Sequence, residues 1–129
     1  MSYYISKTLH TDFDTAVTKT KDALQHESFG IITEIDLHET FKKKLDIEFR
    51  NYKILGACNP PFAYMALQTE DKIGTMLPCN VIVQDLGHHK IEIAAIDPLA
   101  SMEAVKNDEI KKIAEQIKVK LENVISSLE

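Results

Sequence analysis

Arginine occurs once in this chain of 129 residues, at Arg50, and cysteine only twice, at Cys58 and Cys79. A surface that tracks nucleic-acid phosphates needs a basic excess to displace their counterions. Here 15 basic residues face 20 acidic ones, for a formal charge of −5. That balance argues against nucleic acid and, for the same reason, against an anionic membrane surface. Two cysteines are too few for a disulfide scaffold and suit a reducing compartment. No run approaches the ~20 apolar residues that cross a bilayer. The opening residues lack the charged-then-apolar plan of a secretion signal. A cytoplasmic location is the expectation.

What is present is ordinary globular composition, 44% hydrophobic and 27% charged, with no linker, repeat or low-complexity segment. The length is that of one domain, spanning residues 1–129, and a domain of this size hides roughly two-thirds of the surface its unfolded chain exposes.

The apolar period switches between two and about 3.6 along the chain. Tyr3, Ile5 and Leu9 alternate as a strand. Thr11 reads as the N-cap of a helix with the stripe Phe13, Ala16, Val17, Thr20, Ala23 and Leu24. A second strand runs from Phe29 to Asp36, and Asp36 caps a short helix carrying Leu37, Phe41 and Leu45 on one side. Tyr52 to Cys58 is the third strand. Asn59-Pro60 then starts a helix, since asparagine favours the N-cap and proline the first turn. Cys79 to Asp85 and Lys90 to Asp97 form a hairpin around the turn Leu86-Gly87-His88-His89. The longest helix runs from about Asn107 to Leu128, with the stripe Ile110, Ile113, Ala114, Ile117, Leu121, Val124, Ile125 and Leu128. Strands grouped together and closed by a helix predict a two-layer α+β domain, a mostly antiparallel sheet covered by helices on one face.

The words Gly30-Ile-Ile-Thr-Glu-Ile-Asp36, Phe41-Lys-Lys-Lys-Leu45, Ile54-Leu-Gly-Ala-Cys-Asn-Pro60 and Leu77-Pro-Cys-Asn-Val81 resemble the family called domain of unknown function 302, as does the closing Ala95-Ile-Asp-Pro98. The resemblance runs over about residues 1 to 128. It implies a TBP-like fold of order β-α-β4-α and no particular activity.

One place carries chemistry. If the third and fourth strands are antiparallel neighbours, Cys58 at the end of one and Cys79 at the start of the other reach the same sheet edge. Asp97, ending the fifth strand, arrives there too. Cys58 also precedes a helix start, whose free N–H groups favour a thiolate. Asn59 and Asn80 could supply amide donors. Three readings stay open. Both thiols are packed as small hydrophobes; or Cys58, Asn59, Cys79, Asn80 and Asp97 line a ligand pocket, with Cys58, Cys79 and Asp97 able to hold a zinc-like ion; or Cys58 is the working thiol of a redox or thiol-transfer enzyme and Cys79 resolves it. The binding reading, in a self-associating homodimer, is preferred to the thiol enzyme and to a structural or partner-binding module with no pocket, because no nucleophile, base and orienting group can be named together.

Other features have simpler explanations. His88-His89 is a solvated turn, His38 an exposed helical residue, and Lys42-Lys43-Lys44 a solvated face. Glu34 shares a strand face with Ile32 and needs a cation such as Arg50 or Lys53 if it points inward. Tyr64 and Met65 read as core.

Overall fold

The computed structural model describes residues 2–129. In chain order it consists of β1 (Tyr4–His10), α1 (Phe13–His26), β2 (Gly30–Asp36), α2 (Leu37–Leu45), β3 (Tyr52–Cys58) and α3 (Pro60–Thr69), a 3-10 segment (Asp71–Met76), then β4 (Cys79–Asp85), β5 (Lys90–Ile96), α4 (Pro98–Ser101) and α5 (Asp108–Ser127). The strands form one sheet of order β1-β5-β4-β3-β2, antiparallel at every junction. The expected α+β architecture is what forms. The short α4 and the 3-10 segment are additions that no long apolar period announces.

Period-two alternation decides which side chains meet the helices. Leu9, Leu55, Val81, Val83, Ile91, Ile93 and Ala95 point to the helix layer and are buried. Against them lie Ala16, Val17, Thr20 and Leu24 of α1 and the whole predicted stripe of α5, through Val124 and Ile125. Leu128, one residue past that helix, is buried as well. Two ties fix this layer. Lys7 of β1 donates to the carbonyls of Ser126 and Leu128, a cation at a helix C-terminus, where the dipole favours it. At the other end Asn107 caps α5 by accepting from Glu109 and Ile110 N–H.

Local differences from expectation have local causes. Asp12 rather than Thr11 caps α1, because its carboxylate accepts from Thr15 N–H at 2.8 Å and a charged acceptor makes the stronger bond. Asp36 stands at the start of α2 without a side-chain cap bond, because its carboxylate is spent on Lys53 at 3.3 Å. His38 is half-buried rather than exposed: Tyr52 N–H donates to its Nδ1 at 3.0 Å, and Phe13 meets its ring edge-on. Tyr64 and Met65 are exposed, not core, since α3 turns only Ala66 fully inward.

Candidate functional site

Two of the sequence words meet in one ladder. In the β3–β4 register Leu55 pairs with Val81, Gly56 with Asn80 and Ala57 with Cys79. Gly56 is there for space. A Cβ at that position would stand 2.1 Å from Thr33 Oγ1 and 2.9 Å from Pro78 Cγ, so Thr33 and Pro78 close over the glycine on the side away from the helices.

The same register corrects the cysteine inference. The two strand ends do come to one edge, but the partner of Cys79 is Ala57, not Cys58. One residue of offset sends the two side chains toward opposite faces of the sheet. Cys79 points into the helix layer and is 5% exposed; Cys58 is half-buried, and both are free thiols. Burial first, and the nearby Cys58 second, push the Cys79 thiol up to about 11. A neutral, buried thiol is a poor nucleophile and a poor metal ligand.

Both residues still line a cavity, with Phe29, Ala57, Asn59, Phe62, Met102, Ile113 and other apolar side chains. It has about 20 Å³ of free room, enough for one water. Small-molecule sites run to roughly 300–1,000 Å³, so this is a packing gap. Asn59 occupies the N-cap of α3 without a side-chain cap bond and is buried.

Asp97 does not join the cysteines. Its Oδ1 accepts from Leu99 N–H at 3.0 Å, which caps α4, and its Oδ2 pairs with Lys118 of α5 at 3.0 Å. Among the described residues no group of three or more His, Cys, Asp or Glu could hold a metal ion. The expected zinc-like set of Cys58, Cys79 and Asp97 therefore does not assemble.

Asn80, the fifth expected site residue, goes elsewhere. It faces the side of the sheet that no helix covers, where three levels of side chains run across the strands. Tyr4, Ile96, Asn80, Gly56 and Thr33 make the first; Ser6, Ala94, Ile82, Ile54 and Ile35 the second; Thr8, Glu92, Gln84 and Tyr52 the third. A hollow of about 370 Å³ lies over this face, lined by Tyr3, Tyr4, Tyr52, Asn80, Ile82, Gln84, Glu92, Ala94 and Ile96. Its floor is apolar and its rim carries phenols, two amides and one carboxylate.

A polar relay borders the hollow. Arg50 Nε donates to Gln84 Oε1 at 2.9 Å, and Gln84 Nε2 donates to Glu92 Oε1 at 2.8 Å. The guanidinium lies 4.3 Å above the Phe49 ring and 5.8 Å from that of Tyr52, so stacking and a hydrogen bond hold it in place. Among the described residues neither Arg50 nor Glu92 has an ion-pair partner.

Glu34, by contrast, is fully explained. It pairs with Lys21 at 2.9 Å and Lys53 at 3.4 Å. The Lys21 hydrogen bond, opposed by partial burial and helped by both cations, holds its carboxyl below the usual range. Burial alone would lower Lys53, but Asp36 and Glu34 together raise it. Arg50, the other expected partner, is engaged by Gln84 instead. His88 and His89 sit on the hairpin tip with φ of 55° and 60°, exposed as expected.

Sequence reasoning missed Tyr52, Ile82, Gln84, Glu92, Ala94 and Ile96. A signal was available. A sheet with one solvated face alternates cleanly, as β1 does, whereas Ile54-Leu55, Val81-Ile82-Val83 and Ile93-Ala94-Ala95-Ile96 are apolar at both parities.

No helix among the described residues is long and apolar enough to cross a membrane. The family model described as "Domain of unknown function DUF302" matches residues 5–128. Among solved structures, the chain is similar to an uncharacterized conserved protein DUF302 from Bacillus stearothermophilus, with a TM-score of 0.92, 21% identity and all of both chains covered. At that identity the likeness carries the fold. No curated protein matches the chain.

Proposed function

This chain belongs to the DUF302 family, and from that premise we propose that it is a small-ligand-binding domain whose working surface is the open face of its sheet. The observation that carries the reading is a contrast of size and lining. The open-face hollow has about 370 Å³ with polar groups at its rim, whereas the cavity at the cysteines has about 20 Å³ and apolar walls. Of these two, only the first lies in the range of ligand sites.

The lining selects the chemistry. Ile82, Ala94 and Ile96 offer an apolar floor, and the three tyrosines offer aromatic faces. Asn80 and Gln84 offer amides, each able to donate and accept. The ligand class that fits is a flat, apolar body with one or two hydrogen-bonding groups at its edge. Of the residues first expected at the site, Asn80 keeps a binding role. Cys79 and Asp97 have sufficient structural roles, one in the core and the other at the α4 cap.

A panel of flat aromatic fragments, read by the shift in melting temperature, tests this. Fragments that stabilise the wild type are expected to lose their effect in Ala94→Trp, which fills the hollow, and to keep it in Cys58→Ser. Hits that vanish in Cys58→Ser and persist in Ala94→Trp contradict the reading and return the site to the cysteines.

A further inference from the structure

We propose that the open sheet face is covered by the same face of a second copy of this chain, related by a two-fold axis that runs along the strands between β4 and β5. The inference stands independently of which ligand, if any, occupies the hollow.

Composition is the first support. The chain is 27% charged, yet the two levels through Gly56 and Ile54, ten residues across five strands, contain no charged residue. Interface cores lose charged residues and gain aromatic ones in this way. The apolar double parity of β3, β4 and β5 has the same meaning, since strands read like this when both sheet faces are covered. Here the helices cover only one.

Charge complementarity names the occupant. A two-fold interface must be complementary to itself. Among the described residues one cation and one anion at this height lack ion-pair partners: Glu92 belongs to the third level, and Arg50, which precedes β3, reaches that level through its bond to Gln84, so the two flank β4. Rotation about an axis between β4 and β5 carries β3 and β4 of one copy over β1 and β5 of the other. It places Glu92 of the second copy over Gln84, beside the Arg50 that Gln84 holds, twice. The same rotation lays a large group on a small one, Ile82 over Ala94. Strand directions stay nearly aligned, as in face-to-face sheet packing.

The rotation overlays four strands and leaves β2 uncovered; spaced about 4.8 Å apart, each seven residues at about 3.3 Å, they make an overlap of roughly 19 by 23 Å. The two faces of that overlap project on the order of 900 Å², and side chains standing up from the sheet add accessible area. Stable interfaces begin near ~1,200 Å² in total. Such a cover would turn two shallow hollows into one enclosed chamber, which suits sites that bury most of a ligand's surface.

Sedimentation equilibrium of the ligand-free full chain, from micromolar to near-millimolar concentration, tests the proposal. The wild type is expected to be a dimer at the upper end. Arg50→Glu and Glu92→Arg are each expected to weaken association by about tenfold or more, and the double variant to recover most of that loss, as charge pairs across an interface do. Both side chains lie outside the core, so these variants fold, which circular dichroism verifies. Ile82→Glu, placing a charge at the centre of the face, is expected to leave a monomer. A wild type that is monomeric throughout overturns the proposal. So does a dimer indifferent to Ile82→Glu, or a double variant no better than either single. The mass is read without ligand, so a failed fragment panel leaves this outcome unaffected.

Discussion

The two faces of the sheet are made from alternate residues of the same five strands, yet they obey different rules. On the helix side, Leu55, Val81, Val83, Ile93 and Ala95 are completely enclosed, and the nearby cavity hardly admits a water. On the other side, Ile54, Ile82, Ala94 and Ile96 are equally apolar but only half-covered, and phenols, amides, Arg50 and Glu92 stand among them. The first face is dense because its work is folding. The second keeps polar groups at the rim of a hollow, an arrangement that helps folding little and binding much. Of the two cysteines that looked like a site, Cys79 belongs to the packed face, where a thiol is a small hydrophobe.

Neighbouring residues give the sharpest contrast. Leu55→Ala is expected to cost about 2–5 kcal/mol, the usual range for emptying a closed core site. Ile54→Ala, one position away, should cost about 1 kcal/mol or less at concentrations where the chain is monomeric. Urea denaturation of both variants measures the difference; equal losses would mean that the faces do not differ. The thiols divide likewise. With Cys79 pushed up to about 11 from its ordinary 9.0, its thiolate at pH 8 is about a hundredfold scarcer than for a free cysteine. A maleimide reagent should therefore modify Cys58 first and leave Cys79 until the protein unfolds, as peptide mapping would reveal. Fast labelling of Cys79 in the native state would contradict its burial.

Gly56 joins the faces. Gly56→Val forces a branched side chain against Thr33 and Pro78 and is expected to cost about 1–3 kcal/mol by overpacking, read as a lower melting temperature. No loss would mean that those two residues do not close over the glycine as described. The smallest effect belongs to Glu34. Its carboxyl is held below its ordinary 4.5, chiefly by Lys21. A depressed folded-state value gives stability that is present above pH 4.5 and lost as the pH falls through the lowered value. Solvent screening at this part-exposed site keeps the contribution to about 1 kcal/mol or less. Glu34→Gln should flatten that part of the acid limb in a series of denaturation curves below pH 5; an unchanged limb would remove the ion pair from the account.

Much of the fold was legible because long-range burial imprints a period on the sequence. The stripe from Ile110 to Leu128 and the bounds of β3 and β4 needed only that. The convergence of β3 and β4 at one edge was also readable. What misled was parity: Cys58 and Cys79 reach one rim, but the register Ala57–Cys79 is set by the whole ladder and by Gly56, and a single residue of offset changes the face. Asp97 was read by its position, while its partners, Leu99 N–H and Lys118, come from α4, which is too short to leave a period, and from the far-off α5. The open-face residues were passed over individually because each is unremarkable. Their meaning is collective, and it lay in Ile54, Ile82 and Ala94 standing where a solvated face would carry polar residues.

Amide chemical shifts of the labelled protein, followed as a stabilising aromatic fragment is added to saturation, test most directly which face works. The expected changes cluster at Asn80, Ile82, Gln84, Glu92, Ala94 and Ile96. Changes centred instead on Ala57, Cys79, Phe62 and Met102 would contradict the account and make the packed side of the sheet the binding side.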